Sequence, residues 1–169
     1  MGPLISADHR AAVAARVAAA QAEGARLVLG GEPPDDPALQ QGFYYLPTLF
    51  TECQGDMAVV REEIFGPVIT IERFSTEDEA VSRANDTDYG LSAGFRTSDP
   101  ERIRRVSRAL RFGTVWVNDY NVYFAAAPWG GFKRSGIGRE LGRAGLDEYT
   151  ELKHIYENHA PTALDWFGT

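Results

Sequence analysis

Apolar positions recur along the chain with two different spacings, and the places where one gives way to the other divide it into alternating helices and strands. Val13 and Val17, four apart in an alanine-rich run, predict a helix that Ser6 or Asp8 caps and that runs to about Glu23, where Gly24 supplies a stop. Residues 26–29 then read as a short strand. Gly30, Gly31 and residues 33–42, with three prolines and two aspartates, form a loop. Apolar structure resumes at once: residues 43–50 are aromatic and extended in character, and residues 68–74 alternate well enough for a strand.

Ser75-Thr76-Glu77-Asp78 has the pattern of a capping box and opens a helix through about Asn85. Residues 91–95 give the next strand. Ser98, Asp99 and Pro100 place a cap and a helix-compatible proline ahead of an arginine-rich helix, which Gly113 is expected to end. Residues 114–118, with Val115, Trp116 and Val117, read as a buried strand. Strand, helix, strand, helix, strand at these spacings argues for an α/β fold with parallel pairing. Residues 119–138 then form a long loop carrying five aromatic residues, and loops of that length in compact domains are usually functional. A short helix over 140–146 and a strand over 152–157 precede a tail that ends in Trp166 and Phe167; no internal repeat is present.

Composition narrows the classes. With 169 residues, 44% hydrophobic and 24% charged, the chain has the balance of one soluble globular domain. A net charge of −7 argues against a nucleic-acid partner, and the basic cluster Arg102, Arg104, Arg105, Arg108 and Arg111 is interleaved with Ile103, Val106 and Leu110 at the spacing of a solvated helix face. No run approaches the roughly 20 apolar residues of a membrane span, and no secretory signal is evident, so a cytoplasmic protein without a membrane partner is expected. The match of residues 1–6 to a myristoylation pattern is short, and no polybasic second anchor follows it. Cys53, alone, forms neither an internal disulfide nor a cysteine-rich metal site.

Two stretches carry candidate chemistry. Glu62-Glu63-Ile64-Phe65-Gly66-Pro67 joins two acids, an aromatic ring and a Gly-Pro turn ahead of a strand. A carboxylate there could accept hydrogen bonds from two neighbouring hydroxyls, as acidic side chains do when they hold ribose, and a flat ring could pack on a heteroaromatic base. An exposed acidic turn with a buried Phe fits the same residues. The second stretch is Pro128-Trp129-Gly130-Gly131-Phe132-Lys133-Arg134-Ser135-Gly136-Ile137-Gly138-Arg139-Glu140. Its glycines lack the G-x-G-x-x-G spacing of a dinucleotide fingerprint, and tight turns with close backbone approach are the better reading. His9, His154 and His159 share no spacing of a metal site or triad, so each is expected to be structural or exposed, and no metal ligand is assigned.

Together these stretches resemble the aldehyde dehydrogenase superfamily. The similarity runs in order from Gly2-Pro3-Leu4-Ile5 through Tyr44, Leu46-Pro47-Thr48, the 62–67 block, Tyr89-Gly90-Leu91, Gly113-Thr114-Val115-Trp116-Val117-Asn118 and Gly145-Leu146-Asp147-Glu148-Tyr149-Thr150. The resemblance implies that Glu63 binds the hydroxyls of the nicotinamide ribose of NAD or NADP, that Phe65 packs against the nicotinamide end, and that residues 118–129 lie at the aldehyde tunnel. The wording of residues 118–124, 128–131 and 153–156 is similar to the branch of the superfamily that acts on betaine aldehyde. On that resemblance Tyr123 and Trp129 would offer π faces to a quaternary ammonium.

The same resemblance implies a cysteine nucleophile that forms a covalent intermediate, a glutamate base and an oxyanion hole, with hydride passing to NAD(P); these groups belong to a part of the family's sequence that this chain does not contain. Cys53, in Thr51-Glu52-Cys53-Gln54-Gly55, does not match the nucleophile motif. The expectation is therefore a partial catalytic domain over residues 1–149 and an oligomerisation strand with a tail over 150–169, through which a homo-oligomer forms. Catalytic residues are assigned to none of its positions, and the chain alone is expected to be inactive. The rival expectation is a free-standing, noncatalytic truncated homologue that serves as a dimerisation or interaction module.

Overall fold

The computed structural model describes residues 1–162; the tail that includes Trp166 and Phe167 lies outside the described residues. Helix α1 (Ala7–Ala22) begins where the Ser6 hydroxyl accepts the His9 backbone N–H at 3.1 Å, so Ser6 and not Asp8 is its cap. It ends in a Schellman turn: Gly24 at φ +101° lets its own N–H reach the Gln21 carbonyl and the Ala25 N–H reach that of Ala20. Val13, Val17 and Ala20 project from one face onto a sheet made of β1 (Arg26–Leu29), β2 (Thr48–Thr51) and β3 (Val68–Ile71). β1 and β2 are antiparallel, with an irregularity between Leu27 and Leu29, whereas β2 and β3 are parallel, with α2 (Ala58–Arg61) in the connection. Phe50, fully buried, is the centre of this core, and Thr48 is buried with its hydroxyl accepting the Gly31 N–H and donating to the Leu46 carbonyl.

The second half begins with α3 (Glu77–Asn85), β4 (Tyr89–Gly90) and β5 (Ser92–Phe95). Then come α4 (Pro100–Ala109), β6 (Thr114–Val117), β7 (Phe132–Lys133) and α5 (Gly142–Asp147). β5 and β6 are parallel, joined through α4 as a strand–helix–strand unit, so the expected α/β architecture with parallel pairing is present. β3 and β5 nevertheless lie in different sheets.

Several expectations shift. The capping box is one residue later: Thr76 accepts from the Glu79 N–H, and the Glu79 carboxylate reaches back to the Ser75 N–H. Gly113 does not end α4. The helix stops at Ala109 because Leu110 turns extended and the Asn85 side chain takes over the hydrogen bonding, donating to the Ala109 carbonyl and accepting from the Arg111 N–H, each at 2.8 Å. Of β6, only Trp116 is buried. Residues 152–157, expected as a strand, form none: Leu152, Ile155 and Tyr156 are exposed, and among the described residues no other segment pairs with them. A strand exists only where an edge accepts its backbone groups, and the edge expected for this one belongs to a second subunit.

Candidate functional site

The 62–67 segment is held from below by α1, whose residues 9, 13 and 16 fall on one stripe at helical spacing. Arg16 forms an ion pair with Glu62. Val13 fills the space under Gly66, where a Cβ would come within 2.7 Å of its Cγ2. His9 lies beside Phe65: the two rings stack with centroids 5.6 Å apart, and His9 Nε2 is 2.7 Å from the Phe65 carbonyl oxygen. Phe65 sits at φ +54°, a left-handed conformation that strains a bulky residue by about 1–3 kcal/mol. Phe65 is 75% exposed, so the alternative of an acidic turn around a buried Phe does not hold.

The two acids are thereby told apart. Glu62 is engaged by Arg16, while Glu63 forms no ion pair among the described residues; both acids border a groove of about 460 Å³ together with Arg61, Thr87, Tyr89, Leu91, Arg134 and Ser135. Leu91 and Ser135 also line the next hollow, where the loop of residues 129–140 folds back on itself through paired backbone hydrogen bonds between Trp129 and Glu140. Trp129 in turn borders a third hollow of about 180 Å³ with Trp116, Tyr123, Phe124, Pro128 and Leu141. Three neighbouring concavities therefore run from Glu63 to the aromatic residues.

The aromatic end is a cluster. Tyr123 meets Trp129 edge to face with centroids 4.6 Å apart, and both lie against Trp116, at 5.8 and 6.0 Å. Tyr120 adds a fourth ring at 5.5 Å from Trp116. Trp116 is fixed by its indole N–H, which donates to the Val122 carbonyl at 2.9 Å, and the Tyr123 hydroxyl donates to the Asn121 side chain at 2.7 Å. The loop leaves β6 through Asn118, at φ +60°, whose side chain pairs with both backbone groups of Thr97. It returns at β7, antiparallel to β4, where Lys133 Nζ donates to the carbonyls of Asn85 and Thr87. Gly113 lies against this return: a Cβ there would run into the Gly130 carbonyl oxygen. The glycines thus serve close backbone approach, as expected.

Larger clefts of about 590 and 630 Å³ border Cys53, but they are walled by charged side chains such as Glu52, Glu72 and Arg83. Cys53 itself is buried, and burial, with Glu72 nearby, pushes its thiol above the usual range. That is the opposite of what activates a nucleophilic thiolate. His154 and His159 are exposed. No helix among the described residues is long and apolar enough to cross a membrane, and no group of three metal-binding side chains is found among them. Arg16, not singled out in the sequence, and His9, expected there to be structural or exposed, join the site; their only signal is the 9, 13, 16 spacing on α1.

Comparison with known proteins identifies the family. Betaine aldehyde dehydrogenase of Bacillus subtilis (strain 168) is 55% identical over 168 residues, 99% of this chain and 34% of that protein. The 4-trimethylaminobutyraldehyde dehydrogenase of Rattus norvegicus is 48% identical over 157 residues, 92% of this chain and 32% of that protein. A crystal structure of betaine aldehyde dehydrogenase from Staphylococcus aureus in complex with NAD+ superimposes with a TM-score of 0.93 at 48% identity, over 100% of this chain and 34% of that one. The chain thus spans about a third of the length of these relatives. Residues 1–155 match the aldehyde dehydrogenase family, and the chain belongs to that family.

Proposed function

We propose that the chain supplies the C-terminal third of an NAD(P)-dependent aldehyde dehydrogenase that oxidises a cationic aldehyde, betaine aldehyde or an aminoaldehyde, to its carboxylate. Residues 1–149 form part of the catalytic domain, and residues 150–169 a strand and tail that join a second subunit. Glu63, left free while Arg16 holds Glu62, fits the hydroxyls of a ribose. Phe65, with an open ring face, fits the nicotinamide end of the cofactor. The cofactor, when bound, supplies the hydride acceptor. The nucleophile and the base come from the part of the enzyme this chain lacks, and Cys53 replaces neither.

The observation that carries this reading is the line of hollows with Glu63, which has no ion pair among the described residues, at one end and the Trp116, Tyr123 and Trp129 rings at the other. Tyr123 and Trp129 bind the substrate's ammonium group. Ring faces attract a cation that has no N–H to donate, and the relatives above are named for aldehydes of that kind. In the complete enzyme, Trp129→Ala should penalise betaine aldehyde more than a neutral aldehyde of similar size. A desolvated cation over an indole face is worth about 2 kcal/mol, hence a loss of up to roughly 30-fold in relative kcat/KM. Equal losses for both aldehydes would remove the cationic-substrate assignment.

A further inference from the structure

We propose that His9 is a positioning residue for the cofactor end of the site, fixing the ring of Phe65 without touching cofactor or substrate. The inference rests on the reading that Phe65 meets the nicotinamide end. Phe65 has a left-handed backbone and an exposed ring, so neither its local conformational preference nor burial keeps it in one orientation. His9 engages it at both places where it could move. The imidazole lies along one face of the phenyl ring, with planes 25° apart, and its Nε2–H donates to the Phe65 carbonyl, which pins the strained peptide. His9 is itself fixed, because its backbone N–H is the one that the Ser6 cap accepts. The stack occupies one face of Phe65, and the exposure of the residue leaves its ring accessible to a flat heteroaromatic ring. Arg16 and Val13 secure the same segment at Glu62 and Gly66, so α1 acts as the template on which the cofactor loop is laid.

The test uses the complete dehydrogenase that carries this segment, with NAD+ binding followed by calorimetry, hydride transfer by single-turnover kinetics and folding by thermal melting. His9→Ala should weaken NAD+ binding about fivefold, the worth of one hydrogen bond to a strained peptide. The aldehyde KM and the melting temperature should stay unchanged. His9→Gln, which keeps a donor near the Nε2 position, should recover part of the loss, and so should His9→Phe, which keeps only the stack. The double variant His9→Ala/Phe65→Ala should bind NAD+ no worse than Phe65→Ala alone, since His9 acts through Phe65. Losses that add in the double variant, or unchanged NAD+ affinity in His9→Ala beside a weakened Phe65→Ala, would overturn the role of His9. A lowered melting temperature with unchanged affinity would make His9 merely structural. If Phe65→Ala itself leaves affinity and hydride transfer unaltered, the reading of Phe65 fails, and the proposal falls with it for that separate reason.

Discussion

The layer of α1 and β1–β3 and the segment from Asn118 to the end of the described residues are built on different principles. In the layer, Val13, Val17, Ala20 and Phe50 are all but sealed from water, and the elements are where they are because side chains fill the space between them. In the segment, Gly131 and Gly145 are the buried residues, while Tyr120, Tyr123 and Phe124 are exposed. It is held by its backbone, through the Trp129–Glu140 and β4–β7 pairings and the Lys133 ammonium on two carbonyls. A chain that packs its rings into a core cannot also present them to a ligand, and main-chain pairing fixes the segment while leaving the rings available.

That contrast can be broken most directly at the two centres. Phe50→Ala should destabilise the layer by about 3–5 kcal/mol in urea unfolding, the usual cost of emptying a fully buried phenyl site. A cost below about 1 kcal/mol would mean that the layer does not depend on its core. Gly113→Ala removes no contact, yet it should cost about 1–3 kcal/mol because the added methyl has only the Gly130 carbonyl to displace. If the variant is as stable as the parent, close backbone approach is not what holds the segment.

The smallest effect concerns the link between α3 and α4. Hydrogen bonds from Arg105 and Arg102 hold the Glu77 carboxyl down from its ordinary value of 4.5 to about 2. A depressed carboxyl stabilises the fold above its unfolded pKa, and that contribution is lost as pH falls through the folded one. Stability should therefore drop between pH 4.5 and 2 in the parent more steeply than in Glu77→Gln, with the two converging at the acid end. Acid titrations followed by circular dichroism that run parallel across this window would show the clamp to be inert.

Local signals were readable wherever one residue's chemistry decides a boundary. Ser6 and Gly24 bound α1, and Asp99 with Pro100 opens α4, because caps and stops act within a turn. Gly113 misled because its freedom serves a contact with Gly130, a neighbour seventeen positions away that no periodicity announces. The two-residue pairing of β4 with β7 is too short to produce alternation. Residues 152–157 carry a strand pattern, yet no segment among the described residues pairs with them. At the site, the resemblance singled out Glu63 and Phe65, and the geometry added the reason that Glu63 and not Glu62 is free, which lies in Arg16 on a helix some forty-six residues earlier. The contact of His9 with Phe65 was hidden for the same reason: the two lie fifty-six positions apart.

The crowding at Gly113 and Gly66 changes how a map of tolerated substitutions would look. In saturation mutagenesis both positions should reject every side chain, Gly113 because the Gly130 carbonyl occupies the space and Gly66 because Val13 does. Tyr123, whose ring projects into solvent on one side, should accept other aromatic residues. Selection would then draw its deepest scars at positions that touch no ligand, and the residues that discriminate between aldehydes would stand out only when the library is grown on two substrates and the survivors are compared.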